Sequence, residues 1–415
     1  MNKNHEGLNP RSVLYRAGVR PLLVARFSGS VAAQMLAVVV GWQIYAISHS
    51  TLALGWVGLA QFIPMALAVL PAGDLADRLN RRRLLAAAAL VQALACGLLL
   101  LLSLGQPARL LFFYAVLALF GVARAFAGPA MQSYLPLLVP PGELSRVIVW
   151  NSSIFQVAVI GGPALGGAAY LLGPVVAYGI CMALFLVAAA LVATIRAGRR
   201  QRRDPRHRAA FERFTAGIAY VRRNPVILGA ISLDLFAVLF GGSTALLPVF
   251  ASDILHVGPL GLGALRSAGA VGALFMGLYL GRHPLRHGAG RIMFACVALF
   301  GLATLVFGLS RSFTLSMVML AIAGGADMVS VLIRLTLVQM ATPDEMRGRV
   351  SAVNALFVGS SNELGEFESG LTAHWFGTVP AVVLGGIGTL AVVAIWAWRF
   401  PALRHVDRFD DVRPA

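Results

Sequence analysis

The chain has 415 residues, of which 58% are hydrophobic and only 12% are charged, and its mean hydropathy is +0.79. Soluble domains carry about 25% charged residues, so the composition excludes a soluble globular protein and indicates an integral membrane protein. The formal net charge is +17. Because the basic residues stand beside apolar segments, we interpret them as topology signals and contacts to anionic lipid rather than to nucleic acid.

Twelve apolar runs are long enough to cross a bilayer, which requires about 20 helical residues. We expect spans at 22–47, 52–72, 84–104, 110–131, 148–172, 174–195, 226–250, 259–281, 292–310, 313–338, 351–376 and 379–398. The fifth and sixth are separated only by Leu171-Leu172-Gly173-Pro174. The first 20 residues are polar and basic, so no cleaved signal peptide is expected.

The segment Gly73–Arg83, between the second and third runs, is short and dense in charge. Such a loop cannot lie in hydrocarbon, and its arginines indicate the cytoplasmic side. Asp77 is placed to bind a helix N-terminus or an arginine, and so to latch two helices together. The predicted cytoplasmic segments contain Arg11, Arg16, Arg20, Arg78, Arg81, Arg82, Arg83, Arg146, Arg282, Arg286, Arg291, Arg347, Arg349 and Arg399. The opposite side holds only Arg109 and Arg311, so both termini are predicted to be cytoplasmic.

The longest polar stretch, Arg196–Arg223, divides the runs into six and six. Its arginines include Arg199, Arg200, Arg202, Arg203, Arg206, Arg208, Arg213 and Arg222. We interpret it as a solvated, lipid-facing linker helix rather than a nucleic-acid site. The predicted domains are therefore an N-terminal six-helix bundle at 1–195, a basic cytoplasmic linker at 196–225, and a C-terminal bundle with a short tail at 226–415.

The two predicted bundles contain related segments. Pro141–Val147, before the fifth span, resembles Pro343–Val350, before the eleventh, with one inserted residue. Asn151 and Asn354 then follow five residues after Arg146 and Arg349. A repeat of this kind is typical of two bundles related by an axis along the membrane normal.

The segment Gly73–Arg83 resembles a motif of the major facilitator superfamily. Gly73, Asp77, Arg78, Arg81 and Arg82 match its motif in the loop between the second and third helices, Gly-x-x-x-Asp-Arg/Lys-x-Gly-Arg/Lys-Arg/Lys. Asn80 replaces the second glycine, and asparagine tolerates a left-handed conformation better than most residues. The resemblance implies two six-helix bundles that work by alternating access, with Asp77 and Arg81 or Arg82 as a conformational latch.

Two further motifs agree with this resemblance. Arg124–Gly128 is similar to the Arg-x-x-x-Gly signature of helix 4. Gly162, Pro163, Gly166 and Gly167 match the Gly-Pro-x-x-Gly-Gly element associated with antiporters, whose small residues permit close helix contact. Short stretches at Ala25–Ser28, His49–Thr51 and Thr342–Val350 resemble the branch of enterobactin exporters and macrolide-type efflux proteins. The resemblance implies proton-driven export of a medium-sized, partly apolar molecule.

Charges inside the predicted spans mark candidate functional sites, because each costs about 2.5–3.5 kcal/mol at a helix centre on insertion scales. They are Arg26, Arg124, Asp234, Arg266, Asp327, Arg334, Glu363, Glu366 and Glu368. Predicted helices 3, 6, 9 and 12 carry none. In the family fold, helices 1, 4, 7 and 10 line the cavity and helices 2, 5, 8 and 11 flank it. The energetic cost of buried charge and the family resemblance therefore indicate the same helices as those that face water.

The densest group of acids lies in the predicted eleventh span. Glu363 is about 18 Å deep, near the bilayer midplane, and shares a helix face with Glu366, whereas Glu368 points elsewhere. Two carboxylates on one face repel, and we expect at least one of the three glutamates to carry the coupled proton or contact the substrate. The alternative is a structural ion pair of Glu363 or Glu366 with Arg334 or Arg124. Asp234 and Asp327 are further proton candidates, and Arg26 and Arg124 either gate the cavity or bind substrate.

The sequence thus predicts a secondary transporter that exports a siderophore-like or drug-like molecule by proton antiport. Proton-coupled uptake of a small metabolite and a non-transporting receptor of the same fold stay open as alternatives. No nucleotide-binding or nucleophile motif occurs, and Cys96, Cys181 and Cys296 lie in apolar runs without metal-ligand spacing, so no enzyme, metal or cofactor is expected. We expect a monomer in the inner membrane of a bacterium, with the small-molecule substrate, protons and lipid as its partners.

Overall fold

The computed structural model describes residues 18–105, 110–195 and 210–409, without the side chains of 70, 71, 73–78, 141 and 210–214. Within these ranges the chain is helical and forms no β-strand, which confirms the predicted all-α class. The first six helices are α1 (Val19–Ser48), α2 (Thr51–Arg78), α3 (Arg81–Leu104), α4 (Leu110–Tyr134), α5 (Pro141–Tyr170) and α6 (Pro174–Thr194).

Nine more helices follow residue 209. They are α7 (Ala210–Arg223), α8 (Pro225–Gly241), the single turn α9 (Leu247–Val249), α10 (Gly258–Arg282), α11 (Ala289–Leu309), α12 (Phe313–Met340), α13 (Asp344–Phe376), α14 (Thr378–Arg399) and the short α15 (Pro401–Arg404). Eleven helical segments of the described chain are apolar and long enough to cross a membrane. The remaining predicted span, the eleventh, is α13, whose 33 residues reach about 50 Å but include the three glutamates.

Helices α5 and α13 each begin seven residues earlier than predicted, at Pro141 and Asp344 instead of 148 and 351. The related segments Pro141–Val147 and Pro343–Val350, which the sequence places in loops, form the first turns of α5 and α13. Each repeat carries acidic residues there, Glu143 in α5 and Asp344 and Glu345 in α13, where negative charge stabilises the positive end of the helix dipole. The predicted break between α5 and α6 is confirmed, with Gly173 at a φ of +98°.

The charge-dense segment Gly73–Arg83 is not the loop that the sequence predicts. Helix α2 continues to Arg78 and α3 begins at Arg81, so only two residues separate them. Asn80 is not left-handed either, because its φ is −69° and its ψ is 110°. Its side chain accepts a hydrogen bond of 3.1 Å from the Arg82 backbone N–H. Asparagine replaces glycine here as an N-cap, for which it is among the best residues.

The predicted seventh span is a regular helix only over α8. Beyond Gly241 the chain continues through a 3-10 turn at Ser243–Leu246, then α9, and a π-helical turn at Phe250–Ile254. The Gly241-Gly242 pair and Pro248 explain the change, because glycine weakens a helix and proline removes a backbone donor.

The described residues form two compact units. The first comprises those in Met1–Val39 and Ile63–Arg206, and the second those in Val40–Phe62 and His207–Ala415. The core of the first includes Leu22 of α1 and Val192 of α6, and that of the second includes Leu233 of α8 and Ile333 of α12. The division of the chain at 1–195, 196–225 and 226–415 stays a prediction about the two related bundles.

The described part of the basic linker is α7, and one of its faces is packed rather than lipid-facing. A Cβ atom built on Gly217 would lie 2.8 Å from the carbonyl oxygen of Arg349 in α13. The Tyr220 hydroxyl donates a 2.7 Å hydrogen bond to the carbonyl of Ala341, and Val221 is 4% exposed. The linker arginines up to Arg208, like Arg11, Arg16 and Arg109, lie outside the described residues.

Candidate functional site

Asp234 of α8 and Arg334 of α12 form a buried ion pair in the second unit. Their side chains are 6% and 3% exposed, and Arg334 Nη1 donates a hydrogen bond to Asp234 Oδ2. Both residues are candidates in the sequence analysis, but the sequence does not predict that they pair. The hydrogen bond described for Arg334 goes to Asp234, and an ion pair of Glu363 or Glu366 with Arg334 or Arg124 stays a prediction. The Asp234–Arg334 pair keeps two charges satisfied inside membrane-spanning helices.

A second carboxylate belongs to the same site. Asp327 lies seven residues, or two turns, before Arg334 on α12, so the two residues share a helix face. Asp327 interacts electrostatically with both Asp234 and Arg334. Arg334 Nε is buried and has no hydrogen-bond partner among the described residues. The site therefore contains two carboxylates and one guanidinium, which is paired with Asp234, and it carries a net charge of −1 when both carboxylates are ionised.

The glutamates of α13 lie beside a close contact with α2. Glu363, Glu366 and Glu368 are all partly exposed. A Cβ atom on Gly58 of α2 would lie 3.0 Å from Glu366 Oε2 and 3.1 Å from the Glu363 carbonyl oxygen. Glu368 Oε1 accepts a 2.8 Å hydrogen bond from Thr372 Oγ1, one turn along the same helix. The role of these acids in proton transfer stays a prediction.

The same contact continues one turn along each helix without room for side chains. A Cβ atom on Gly370 of α13 would lie 2.7 Å from the Cα of Gly55 in α2. Trp56 and Phe367 cover its side, with ring centroids 5.3 Å apart. The sequence does not reveal this contact, because the glycines are unremarkable within their own apolar helices.

Another contact that the sequence does not reveal joins α1 to the π-helical turn. The Tyr45 hydroxyl donates a hydrogen bond to Asp253 Oδ2, and the two residues are 208 positions apart. Asp253 follows the predicted end of the seventh span at residue 250, so it is not among the charges predicted to lie inside spans. The π-helical turn gives it its position opposite Tyr45.

In the first unit, Arg26 is the embedded cation whose surroundings are best defined. Its guanidinium carbon lies 4.8 Å from the centre of the Phe155 ring of α5, a cation–π distance. Its Nε is buried and has no hydrogen-bond partner among the described residues. Arg124 of α4 is an exposed side chain. The structure therefore places an aromatic ring against Arg26.

The antiporter-like glycines hold α5 against α1. A Cβ atom on Gly162 would lie 2.5 Å from Gln34 Cβ, and one on Gly166 would lie 2.8 Å from the Met35 carbonyl oxygen. Pro163 and Gly167 are buried with them. The close approach expected from the motif is present, and its part in transport stays a prediction.

Gly166→Ala is expected to destabilise the protein by about 1–3 kcal/mol, because the added methyl group meets backbone atoms that cannot rotate away. Gly161→Ala is the matched control, since a Cβ atom there meets nothing within 4 Å. Thermal unfolding of the two variants in the same detergent checks the prediction. Equal melting temperatures of the two variants would contradict the prediction, because they would mean that the contact between α1 and α5 can widen to accept the methyl group without loss of stability.

The proposed latch is described only in part. Arg82 Nη1 donates a 2.8 Å hydrogen bond to the carbonyl oxygen of Ile195, just beyond the end of α6. Arg81 begins α3. For Gly73, Asp77 and Arg78 the structure describes only the helical backbone, so the pairing of Asp77 with Arg81 or Arg82 stays a prediction.

Charged residues inside membrane-spanning helices are typical of membrane transporters, where they mark substrate or ion pathways. The family model described as Major Facilitator Superfamily matches residues 22–366. The chain belongs to this superfamily. Solved structures share the fold: an inward-facing bacterial homologue of the human lysosomal transporter Spinster matches with a TM-score of 0.73 and 16% identity, over 96% of this chain and 97% of that one.

Two characterised relatives are similar over most of the chain. Macrolide efflux protein A of Streptococcus pyogenes is 24% identical over 343 residues, covering 79% of this chain and 84% of that protein. The enterobactin exporter EntS of Shigella dysenteriae is 25% identical over 397 residues, covering 94% and 90%. Both belong to the branch that the sequence motifs resemble.

Proposed function

We propose that the protein exports a small organic molecule in exchange for protons. Two observations support this proposal. Two relatives that cover most of the chain are named as a macrolide efflux protein and an enterobactin exporter, and the site of Asp234, Asp327 and Arg334 contains two carboxylates and one arginine, which is paired with Asp234. The second observation carries the proposal, since an embedded acid without a cation of its own is suited to bind and release a proton.

In the proposed cycle Asp327 exchanges the proton and Asp234 keeps Arg334 in place. With Asp327 protonated, the site is neutral, because one carboxylate balances one guanidinium. Loss of the proton leaves a net negative charge, which favours the conformation that opens the site to water or to a cationic group. Glu363 and Glu366 of α13 are the candidates for a relay or a second proton site.

Alternating access requires the contacts between helices to break in turn. By the predicted topology, the Tyr45–Asp253 hydrogen bond and the contact of Gly55 with Gly370 lie toward the extracellular ends of their helices. We propose that both separate when the transporter opens outward, and that the Asp77 latch opens at the cytoplasmic end. Arg26 and Arg124 bind substrate or gate the cavity in the first bundle.

Inside-out membrane vesicles with an acidic interior test the function. Enterobactin and a macrolide serve as the two probes, taken from the names of the relatives. Export predicts accumulation of a probe inside the vesicles, with proton efflux, and its loss when a protonophore collapses the gradient. Accumulation only in right-side-out vesicles with an acidic exterior would establish uptake instead, and binding without any proton flux would indicate a receptor.

We also place the protein in the inner membrane of a bacterium, as a monomer that carries a siderophore-like or drug-like substrate. Fractionation of the producing cells and the mass of the detergent-solubilised protein check the location and the monomeric state. A mass of two chains without bound lipid would contradict the monomer.

A further inference from the structure

An apolar groove in the second unit runs between α10, α11 and α12. Its volume is about 710 Å³. Small residues form its floor, including Gly272, Ala321 and Gly325, and larger side chains such as Phe275 and Leu299 form its rim. Phe275 is 68% exposed and Leu299 44% exposed, so the groove opens to the surroundings of these helices. It has no part in the proposed transport mechanism.

The groove is held open by contacts of the backbone. A Cβ atom on Gly272 would lie 1.8 Å from the Ala321 carbonyl oxygen, and one on Gly324 would lie 2.0 Å from the Gly269 carbonyl oxygen. Helices α10 and α12 therefore meet without intervening side chains. The glycines of the floor contribute no side chain to the groove, which is open to an occupant from outside.

The end of the groove at Tyr279 leads to a basic segment. The Tyr279 ring stacks on His283 with centroids 4.7 Å apart, and α10 ends at Arg282. Arg282 and Arg286 are exposed. Neither makes an ion pair with another residue of the described chain. The apolar lining thus ends at Tyr279, three residues before Arg282 and seven before Arg286 in the chain.

The nearby acid, Asp407, is already engaged. Its carboxylate accepts hydrogen bonds from the His287 ring at 3.0 Å and from the Gly288 N–H at 2.8 Å. The hydrogen bond from His287, followed by that from Gly288, lowers the pKa of Asp407 below its usual value. The Asp407 carboxylate is therefore engaged by His287 and Gly288, and it makes no ion pair with Arg282 or Arg286 among the described residues.

We propose that the groove and Arg282 and Arg286 form a binding site for an anionic phospholipid. An acyl chain lies between α10, α11 and α12, and the headgroup phosphate binds the two arginines. Inside a bilayer an acyl chain gains little by leaving other chains, so the selectivity comes from the phosphate, which forms charge-assisted hydrogen bonds with guanidinium groups. The acyl chain in the apolar groove positions the headgroup phosphate at Arg282 and Arg286.

Native mass spectrometry of the full-length protein, after exchange into detergent with defined lipid, tests the site. The probes are phosphatidylglycerol and phosphatidylcholine with identical acyl chains. We expect the first to be retained about tenfold more strongly at one site. Equal retention of the two lipids by the unaltered protein would overturn the proposal without any need for a variant. sn-Glycerol 3-phosphate, which has no acyl chain, should not displace the bound lipid.

Two variants separate the headgroup from the groove. Arg282→Gln with Arg286→Gln is expected to remove the preference, and Arg399→Gln, at an exposed arginine ending α14, should not. Val318→Trp on the rim should reduce retention of both lipids, whereas Leu302→Trp, exposed on α11 and outside the groove, should not. An unchanged preference in the arginine variant, unchanged retention in Val318→Trp, or a dimer that replaces the lipid would overturn the proposal.

Discussion

Asp327→Asn is expected to abolish accumulation driven by a pH gradient, while exchange of substrate down its own gradient continues. Asparagine keeps the size of the side chain but cannot take up or release a proton. The site then has one carboxylate for one guanidinium in every conformation, so a pH gradient no longer shifts its charge. Inside-out vesicles with and without an acidic interior measure the two activities separately. We expect the driven component to fall at least about tenfold, or about 1.4 kcal/mol of coupling.

Asp344→Asn is the matched control for this prediction. Asp344 is an exposed acid at the start of α13, where it pairs with Arg347 at 2.8 Å and its side chain is 83% exposed. The same chemical change there removes a surface charge and should leave proton-driven transport intact. If Asp327→Asn transports normally and the double variant Glu363→Gln, Glu366→Gln does not, proton coupling belongs to α13 instead. Normal transport by both would contradict proton antiport.

Arg334→Met is expected to destabilise the folded protein strongly. It leaves Asp234 buried without its cation, and breaking a buried pair by removing one partner costs about 3–5 kcal/mol. Thermal unfolding in detergent and the yield of monodisperse protein measure the loss. Arg311→Met is the control, since Arg311 is exposed just before α12 and is not part of the buried pair.

A second substitution shows whether the charge itself is responsible. Asp234→Asn combined with Arg334→Met removes both charges, and we expect it to recover most of the lost stability, because the buried pair then leaves no unbalanced carboxylate at position 234. Failure of the double variant to recover would mean that the packing of the Arg334 side chain, and not its charge, holds α8 against α12. A stable single variant would contradict the prediction.

Much of the architecture follows from local properties of the chain. A helix inside a membrane must satisfy all of its own backbone groups, so an apolar run of sufficient length is enough to predict it, and each predicted span except the seventh lies on one regular helix. The repeats at the start of α5 and α13 are evident in the sequence, yet their residues are helical and do not form the loops predicted there. The sequence does not predict these two helical turns, because polar residues at a helix end show no helical periodicity of apolar residues.

The charges inside the spans are identifiable for the same reason: each is exceptional in its own segment. Asp234, Asp327 and Arg334 are therefore all candidates from the sequence alone. The sequence favours Glu363 and Glu366 as the main site because they are neighbours along one helix, which is a relation that periodicity can reveal.

Only the tertiary structure decided which of these groups meet. Arg334 pairs with an aspartate 100 positions away, and Tyr45 with one 208 positions away; such distances leave no periodic trace. How closely two helices approach depends on small residues at their crossings, such as Gly272 and Gly370, where the absence of a side chain allows the backbones to touch. The sequence by itself determined the helices, the family and the candidate charges. Packing decided their partners, because the energy of a buried charge depends on what lies across the interface and not on its own segment.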